Sequence, residues 1–248
     1  MSTHLHSPVS QFRRLNGLLA EAALGSPQKL RQALVKHAIE AHNFLSSLDL
    51  NEFFQEHLGS ELAGLLAQEG TGHLHIGFVA PTECTVELLA ETAQKAGFNS
   101  AVSTFASEVM ARELALSSNQ ADVPTTILKA FDLSLADRSL GLEAFLPNTS
   151  VAESKNWVQS GVGRHLGLGL QSRNAVCEAQ KLCTQAGFHA PSFLKGKPAV
   201  NQAEDILVVY SDGLLEGRPL RLEFYHAASE RPTRAVQVGS GFGARSSQ

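Results

Sequence analysis

The 248-residue chain is long enough for one large domain or two small ones, and its 43% hydrophobic and 18% charged residues allow a substantial core. Its net charge of −4 argues against a nucleic-acid partner, because binding to phosphates favours a basic surface. No apolar run approaches the roughly 18 residues of a transmembrane helix. The polar start, MSTHLHSPVS, lacks a signal peptide's apolar segment, and the three cysteines form no CxxC pair. We therefore expect a cytoplasmic protein without a membrane partner.

Residues 1–70 are predicted to form a helical region. Ser26 is a candidate N-cap and Pro27 occupies the first helical position, after which apolar residues recur at spacings of three and four up to Leu48. Helix-like patterns also precede and follow this segment, so we expect three helices. His37 and His42 lie in the second one without the ExxH order of di-iron bundles, which predicts that both are solvated.

The chain then contains an internal repeat. HIGFVAPTECTVELLAETAQKAGF (75–98) aligns without a gap on HLGLGLQSRNAVCEAQKLCTQAGF (165–188), with six identities in 24 positions. These include the first His, the Gly two residues later and the final Ala-Gly-Phe. Each copy is followed by a strand-like segment with a central glutamate, LGLEAF with Glu143 and LRLEFY with Glu223.

The repeat predicts an α+β fold of two tandem βαβββ modules. Their predicted boundaries are 71–148 and 160–228, with a polar connection between them and an irregular tail at 229–248. The preceding helices are expected to pack as a cap over a cavity mouth or an edge strand, or to mediate dimerisation.

With these landmarks, the sequence resembles the vicinal oxygen chelate superfamily, which includes glyoxalases, bleomycin-resistance proteins and extradiol dioxygenases. The resemblance covers both modules and excludes the first seventy residues. It implies a cupped, barrel-like sheet that encloses a divalent metal. By position, it implies His75, Glu143, His165 and Glu223 as metal ligands, and Glu143 and Glu223 as catalytic residues.

The residue types suit this chemistry. Imidazole and carboxylate ligands fit Fe, Mn, Ni, Co or Zn, and the sequence does not choose among these metals. Such a metal acts as a Lewis acid on a chelating substrate, while a glutamate that leaves the metal can transfer protons. Alternatives to metal binding stay open. The histidines would then be hydrogen-bonded residues of the core, and the glutamates would face solvent on edge strands.

Three further residues are candidates for substrate contacts or alternative ligands. His73 shares a strand face with His75 because the two are two residues apart. Arg164 is suited to binding a substrate carboxylate, although a surface role fits equally well. Tyr225 has the same strand parity as Glu223 and is expected to line the same cavity.

The resemblance leaves several functions open. A metal-dependent lyase or isomerase of glyoxalase-like type would use all four ligands. A non-haem Fe(II) dioxygenase of extradiol type would need two histidines and one glutamate, which would leave Glu143 as a bystander. A metal-free small-molecule binding or resistance protein is the non-enzyme alternative. In each case the expected partner is a small molecule, and a homodimer is compatible with the sequence.

Overall fold

The computed structural model describes residues 8–22, 25–191, 199–201, 206–215 and 217–227. The predicted irregular tail at 229–248 lies outside these residues. In the described part of the chain, no helix combines the length and the apolar character needed to cross a membrane. Cys84, Cys177 and Cys183 are all unpaired.

Four helices occupy the described residues of the first seventy, where the sequence predicted three. They are α1 (Pro8–Ala22), α2 (Pro27–Ser47), α3 (Leu50–His57) and α4 (Ser60–Glu69). Ser26 caps α2 as predicted, because its side chain accepts a hydrogen bond from the amide of Lys29. The third predicted helix is divided at Gly59, whose φ of 101° is incompatible with a continuous α-helix.

Two βαβββ modules follow these helices. The first contains β1 (Gly70–Val79), α5 (Val86–Lys95), β2 (Ala101–Ala106), α6 (Glu108–Ser118), β3 (Thr125–Asp132) and β4 (Ser139–Pro147). After α7 (Val151–Ser160), the second contains β5 (His165–Leu170), α8 (Arg173–Gln185), β6 (Ala199–Asn201), β7 (Ile206–Leu215) and β8 (Arg218–Ala227). The sequence missed α6, and α7 replaces the predicted polar connection.

All eight described strands form one open sheet in the order β2-β3-β4-β1-β5-β8-β7-β6. In each module the first and last strands pair in parallel, β1 with β4 and β5 with β8. The modules join through the antiparallel pair β1 and β5 at the centre of the sheet. The predicted α+β class with two βαβββ modules is therefore confirmed, and the sheet is open.

The N-terminal helices cover the centre of the sheet, not the predicted cavity mouth or edge strand. Helix α2 packs against α5, β1 and β4, and α4 packs against α8 and β1. The ring of His37 on α2 lies 4.8 Å from that of Phe78 on β1. Leu74 and Ile76 share this face of β1, because alternate strand residues point to the same side. We call this the helix face of the sheet.

The prediction that His37 and His42 are solvated is wrong. His37 is 1% exposed, and its Nδ1 donates a hydrogen bond to the carbonyl of Leu15 at 3.1 Å. His42 Nε2 lies 2.8 Å from Asp132 Oδ2. The sequence spacing concealed both contacts because each partner belongs to a different element.

Candidate metal centre

The register between β1 and β5 places the two histidines symmetrically. His75 lies opposite Gly167, and Gly77 lies opposite His165. These positions are on the site face of the sheet, opposite the helix face, because they alternate with Leu74, Ile76 and Phe78. The glycine of each module therefore faces the histidine of the other module.

The same register continues into the outer strands. Gly77 is paired with Glu143 on β4, and Gly167 is paired with Glu223 on β8. Each imidazole thus lies over the glycine of the neighbouring strand and reaches the glutamate one strand further out. Repeating this arrangement in the two modules brings two imidazoles and two carboxylates to the middle of the sheet.

The four side chains form one buried cluster. One ligand-type atom from each of His75, Glu143, His165 and Glu223 lies within 4.8 Å of the other three. The two Nε2 atoms are 3.1 Å apart, and Glu223 oxygens lie 3.5 Å from His75 Nε2 and 3.2 Å from His165 Nε2. Glu143 Oε2 is somewhat further away, at 3.6 and 3.9 Å from the same two nitrogens.

Hydrogen bonding fixes how His165 presents its ring. Its Nδ1 lies 2.9 Å from the backbone carbonyl of Gly163, which can only accept a hydrogen bond. The Nδ1 therefore carries the proton, and a neutral His165 directs the Nε2 lone pair into the cluster. An imidazole oriented in this way by its second nitrogen is typical of metal-binding histidines.

Burial and mutual charge shift the titration of the cluster. Burial lowers the pKa of His165, whereas for His75 the neighbouring carboxylates Glu143 and Glu223 outweigh burial and raise the pKa. Burial alone would raise the pKa of Glu223, but the two imidazoles and a hydrogen bond from Tyr210 hold it below its usual range. Glu223 is therefore ionised at neutral pH and available as an oxygen donor.

Each glutamate has a polar neighbour directly opposite on the adjacent strand. Lys129 on β3 is paired with Glu143, and its Nζ lies 3.0 Å from Oε1. Tyr210 on β7 is paired with Glu223 and donates a hydrogen bond to it. Sequence reasoning missed Lys129, although a single lysine in the apolar run TTILKAFD was a usable signal.

The donor set fits a divalent metal. Two imidazole nitrogens and two carboxylates are a common combination for first-row metals, which bind such atoms at about 2.0–2.2 Å. Two ligands at that distance from one centre are about 3 Å apart when they lie at right angles. The observed separations between His75, His165 and Glu223 are close to this value. Their role as ligands stays a prediction.

The three further candidates lie in different places. The ring of Tyr225 is 5.4 Å from that of His75, at the edge of the cluster. His73 is outside the cluster and hydrogen-bonds through Nδ1 to Ser139. Arg164 lines a separate cavity, and its Nη2 donates a hydrogen bond to the carbonyl of Val158.

The space beside the cluster is small. A cavity of about 30 Å³ is bordered by both glutamates, Lys129, Tyr210 and Tyr225. Helix α6, inserted between β2 and β3, borders this cavity through Val109, which belongs to one buried cluster with Val208 and Tyr210 of the second module. The same helix forms an ion pair with the second module, in which Arg221 Nη1 lies 2.6 Å from Glu113 Oε1.

No known protein family and no curated protein matches the sequence. Among solved structures, the chain is similar to a variant of Streptomyces coelicolor methylmalonyl-CoA epimerase in complex with 2-nitronate-propionyl-CoA. The two sequences are 16% identical, the match covers 64% of this chain and 98% of that chain, and the TM-score is 0.39. A methylmalonyl-CoA epimerase in complex with methylmalonyl-CoA and NH4+ gives 15% identity, 65% and 96% coverage and a TM-score of 0.39. A variant of Streptomyces coelicolor 4-hydroxymandelate synthase gives 12% identity, 66% and 50% coverage and a TM-score of 0.40.

The order and pairing of the strands define the architecture of the described chain. Two βαβββ modules joined through their first strands, with ligand-type residues on the first and last strand of each, are the fold that the sequence resemblance implied. The described part of the chain therefore has the two-module βαβββ architecture that the resemblance to the vicinal oxygen chelate superfamily implied.

Proposed function

We propose that this protein is a divalent-metal-dependent enzyme of glyoxalase-like type, a lyase or isomerase that acts on a small substrate through two adjacent oxygen atoms. The observation that carries the proposal is the convergence of two imidazoles and two carboxylates from equivalent positions of the two modules, with the Nε2 atoms 3.1 Å apart. When bound there, the metal supplies Lewis acidity to the oxygens of a chelating substrate.

The protein's own groups have distinct tasks in this proposal. His75 and His165 hold the metal, and the hydrogen bond from His165 to Gly163 keeps that imidazole oriented. A carboxylate oxygen of Glu143 or Glu223 takes the proton from the substrate carbon beside the chelating oxygens and returns it to the neighbouring carbon. Because these four residues are at most 5% exposed, bulk water is kept from the reacting carbon.

One observation favours a second candidate, an extradiol-type dioxygenase. Glu143 binds Lys129 through Oε1, and its Oε2 is further from the imidazoles than the oxygens of Glu223 are. A site of two histidines and Glu223 alone would have the three ligands that non-haem Fe(II) oxygenases use. Glu143 would then position Lys129 instead of binding the metal.

Metal titration of the full-length protein tests the proposal. After chelator treatment, Mn, Fe, Co, Ni and Zn are each titrated by calorimetry, and the bound metal is quantified by elemental analysis. We expect one ion per chain, with affinity reduced at least tenfold in His75→Ala, His165→Ala and Glu223→Gln. Glu83→Gln, which changes a carboxylate outside the cluster, is the matched control. If none of these metals binds, the remaining hypothesis is a metal-free small-molecule binding protein.

Glu143→Gln separates the two enzyme classes. The metal-loaded protein is assayed with thiohemiacetals and acyl-CoA thioesters for isomerisation, and with catechols in an oxygen electrode. The lyase or isomerase proposal predicts that Glu143→Gln reduces both metal affinity and turnover. Oxygen consumption with a catechol that Glu143→Gln leaves intact would establish the dioxygenase instead.

A further inference from the structure

A second, larger cavity lies away from the candidate metal centre. It has a volume of about 710 Å³ and lies between the N-terminal helices and the second module. Its size falls within the roughly 300–1,000 Å³ range of small-molecule sites. None of its lining residues borders the small cavity beside the four-residue cluster, so the two spaces are distinct.

One wall of this cavity contains the cationic side chain of Arg164. Its Nη2 donates a hydrogen bond to the carbonyl of Val158, and its Nη1 lies beside Gly161. Among the residues that the structure describes, no carboxylate pairs with Arg164. A guanidinium has five N–H donors in a planar fork, so most of its hydrogen-bonding capacity is available to a ligand.

The lining also contains an ion pair between Arg221 and Asp212. Arg221 Nε lies 2.6 Å from Asp212 Oδ1, and its Nη2 lies 2.9 Å from Oδ2. Asp212 is therefore occupied by a bidentate ion pair and does not neutralise Arg164. Since Arg164 is the cation left over among the described lining residues, the cavity favours an anion.

The remaining walls are largely apolar. Phe12 and Phe53 contribute aromatic surface from the N-terminal helices, and Leu214 and Leu220 contribute aliphatic surface from the β7–β8 hairpin. Leu214 is 66% exposed, which places it where the cavity opens to solvent. A charged group at one wall and apolar surface at the others suit an amphipathic molecule.

We propose that this cavity binds a small organic anion whose carboxylate or phosphate group pairs with Arg164 and whose apolar body lies against Phe12, Phe53 and Leu214. A carboxylate and a phosphate both match the planar fork of a guanidinium through two parallel hydrogen bonds. The site is independent of the proposed metal chemistry, because Arg164 and the four-residue cluster border different cavities.

The test uses the full-length, metal-free protein, so that probes cannot bind through a metal. Titration calorimetry compares 4-bromobenzoate, phenyl phosphate and the neutral 4-bromobenzamide. We expect whichever anion fits to bind at least tenfold more tightly than the amide, and Arg164→Gln to weaken it at least tenfold. Anomalous scattering from a crystal soaked with 4-bromobenzoate should place bromine in this cavity; if phenyl phosphate binds instead, its phosphorus density should lie beside Arg164.

Two variants at the mouth keep the test valid if Arg164→Gln does not fold. Leu214→Glu should weaken anion binding by repulsion, whereas Leu214→Gln, of the same size but neutral, should leave it close to wild type. Arg31→Gln, an exposed arginine outside the cavity, is the control for net charge. Absence of anion binding, equal binding of the amide, or a ligand located elsewhere would each overturn the proposal.

Discussion

The Cα of Gly77 lies directly beneath the imidazole of His165. A Cβ at position 77 would be 2.0 Å from His165 Cε1, and a Cβ at Gly167 would be 2.0 Å from His75 Cε1. The His-x-Gly pattern of each module is thus explained across the module boundary: each glycine makes room for the other module's histidine. Both histidines reach the cluster because the strand beside each of them carries no side chain at that point.

Gly77→Ala is therefore expected to disrupt the cluster. His165 is fully buried, so its ring cannot move aside without displacing its neighbours. We expect the free energy of unfolding to fall by about 1–3 kcal/mol, as for overpacked cores, and metal affinity to fall at least tenfold. Urea unfolding and metal titration measure the two effects.

Gly64→Ala is the matched control, because nothing lies within 4 Å of a Cβ at this position of α4. It should raise the free energy of unfolding by about 0.5–1 kcal/mol by removing helix-interior glycine. If Gly77→Ala proved as harmless as this control, the steric account of the repeat would be wrong.

Lys129→Met should destabilise the metal-free protein more than the metal-loaded protein. Glu143 is 4% exposed and has Lys129 as its nearest cation, at 3.0 Å. Removing one partner of a buried ion pair costs about 3 kcal/mol, but a bound metal would compensate the carboxylate. Urea unfolding with chelator and with saturating metal measures how much free energy of unfolding the substitution removes in each state. Equal losses in the two states would argue against metal binding by Glu143.

We predict that helix α6 moves when a substrate enters the four-residue cluster. The cavity beside it holds about 30 Å³, which is room for one or two water molecules. Weakening the Glu113–Arg221 ion pair with Glu113→Gln should speed hydrogen exchange of the α6 amides and accelerate metal loading. Arg112→Gln changes an exposed charge on the same helix and should alter neither rate. Unchanged loading in Glu113→Gln would show that access follows another route.

His37 should make folding sensitive to mild acid. Burial lowers its pKa to about 4 from an ordinary value of 6.5, and within the described part of the chain its Nε2 has no hydrogen-bond partner. The unfolded chain therefore takes up the proton first, so stability is lost as pH falls from 6.5 towards 4.

We expect the stability difference between wild type and His37→Gln to change by about 3 kcal/mol between pH 7.5 and pH 4. Glutamine stays neutral and can still donate a hydrogen bond to the carbonyl of Leu15. Because the two proteins share all other titrating groups, the contributions of those groups cancel in this comparison. Urea unfolding of both proteins at several pH values measures the change. Parallel pH profiles would mean that His37 is not the group responsible.

The repeated unit is predictable from local patterns in the sequence. Strand alternation, the helix caps and the paired landmarks at His75, His165, Glu143 and Glu223 predict two equivalent βαβββ modules, because these patterns are local and depend on residues close in the chain. The same local signals predicted α2 and its cap at Ser26.

The contacts between distant segments depend on the tertiary structure. Four features of the structure join residues that are far apart in the chain or on opposite faces of a strand. They are the glycine opposite each histidine, Lys129 opposite Glu143, helix α6 beside the second module, and Arg164 in a separate cavity. No periodicity within one segment encodes its partner in another. The residue types were therefore readable from the sequence, whereas their convergence required the antiparallel pairing of β1 with β5.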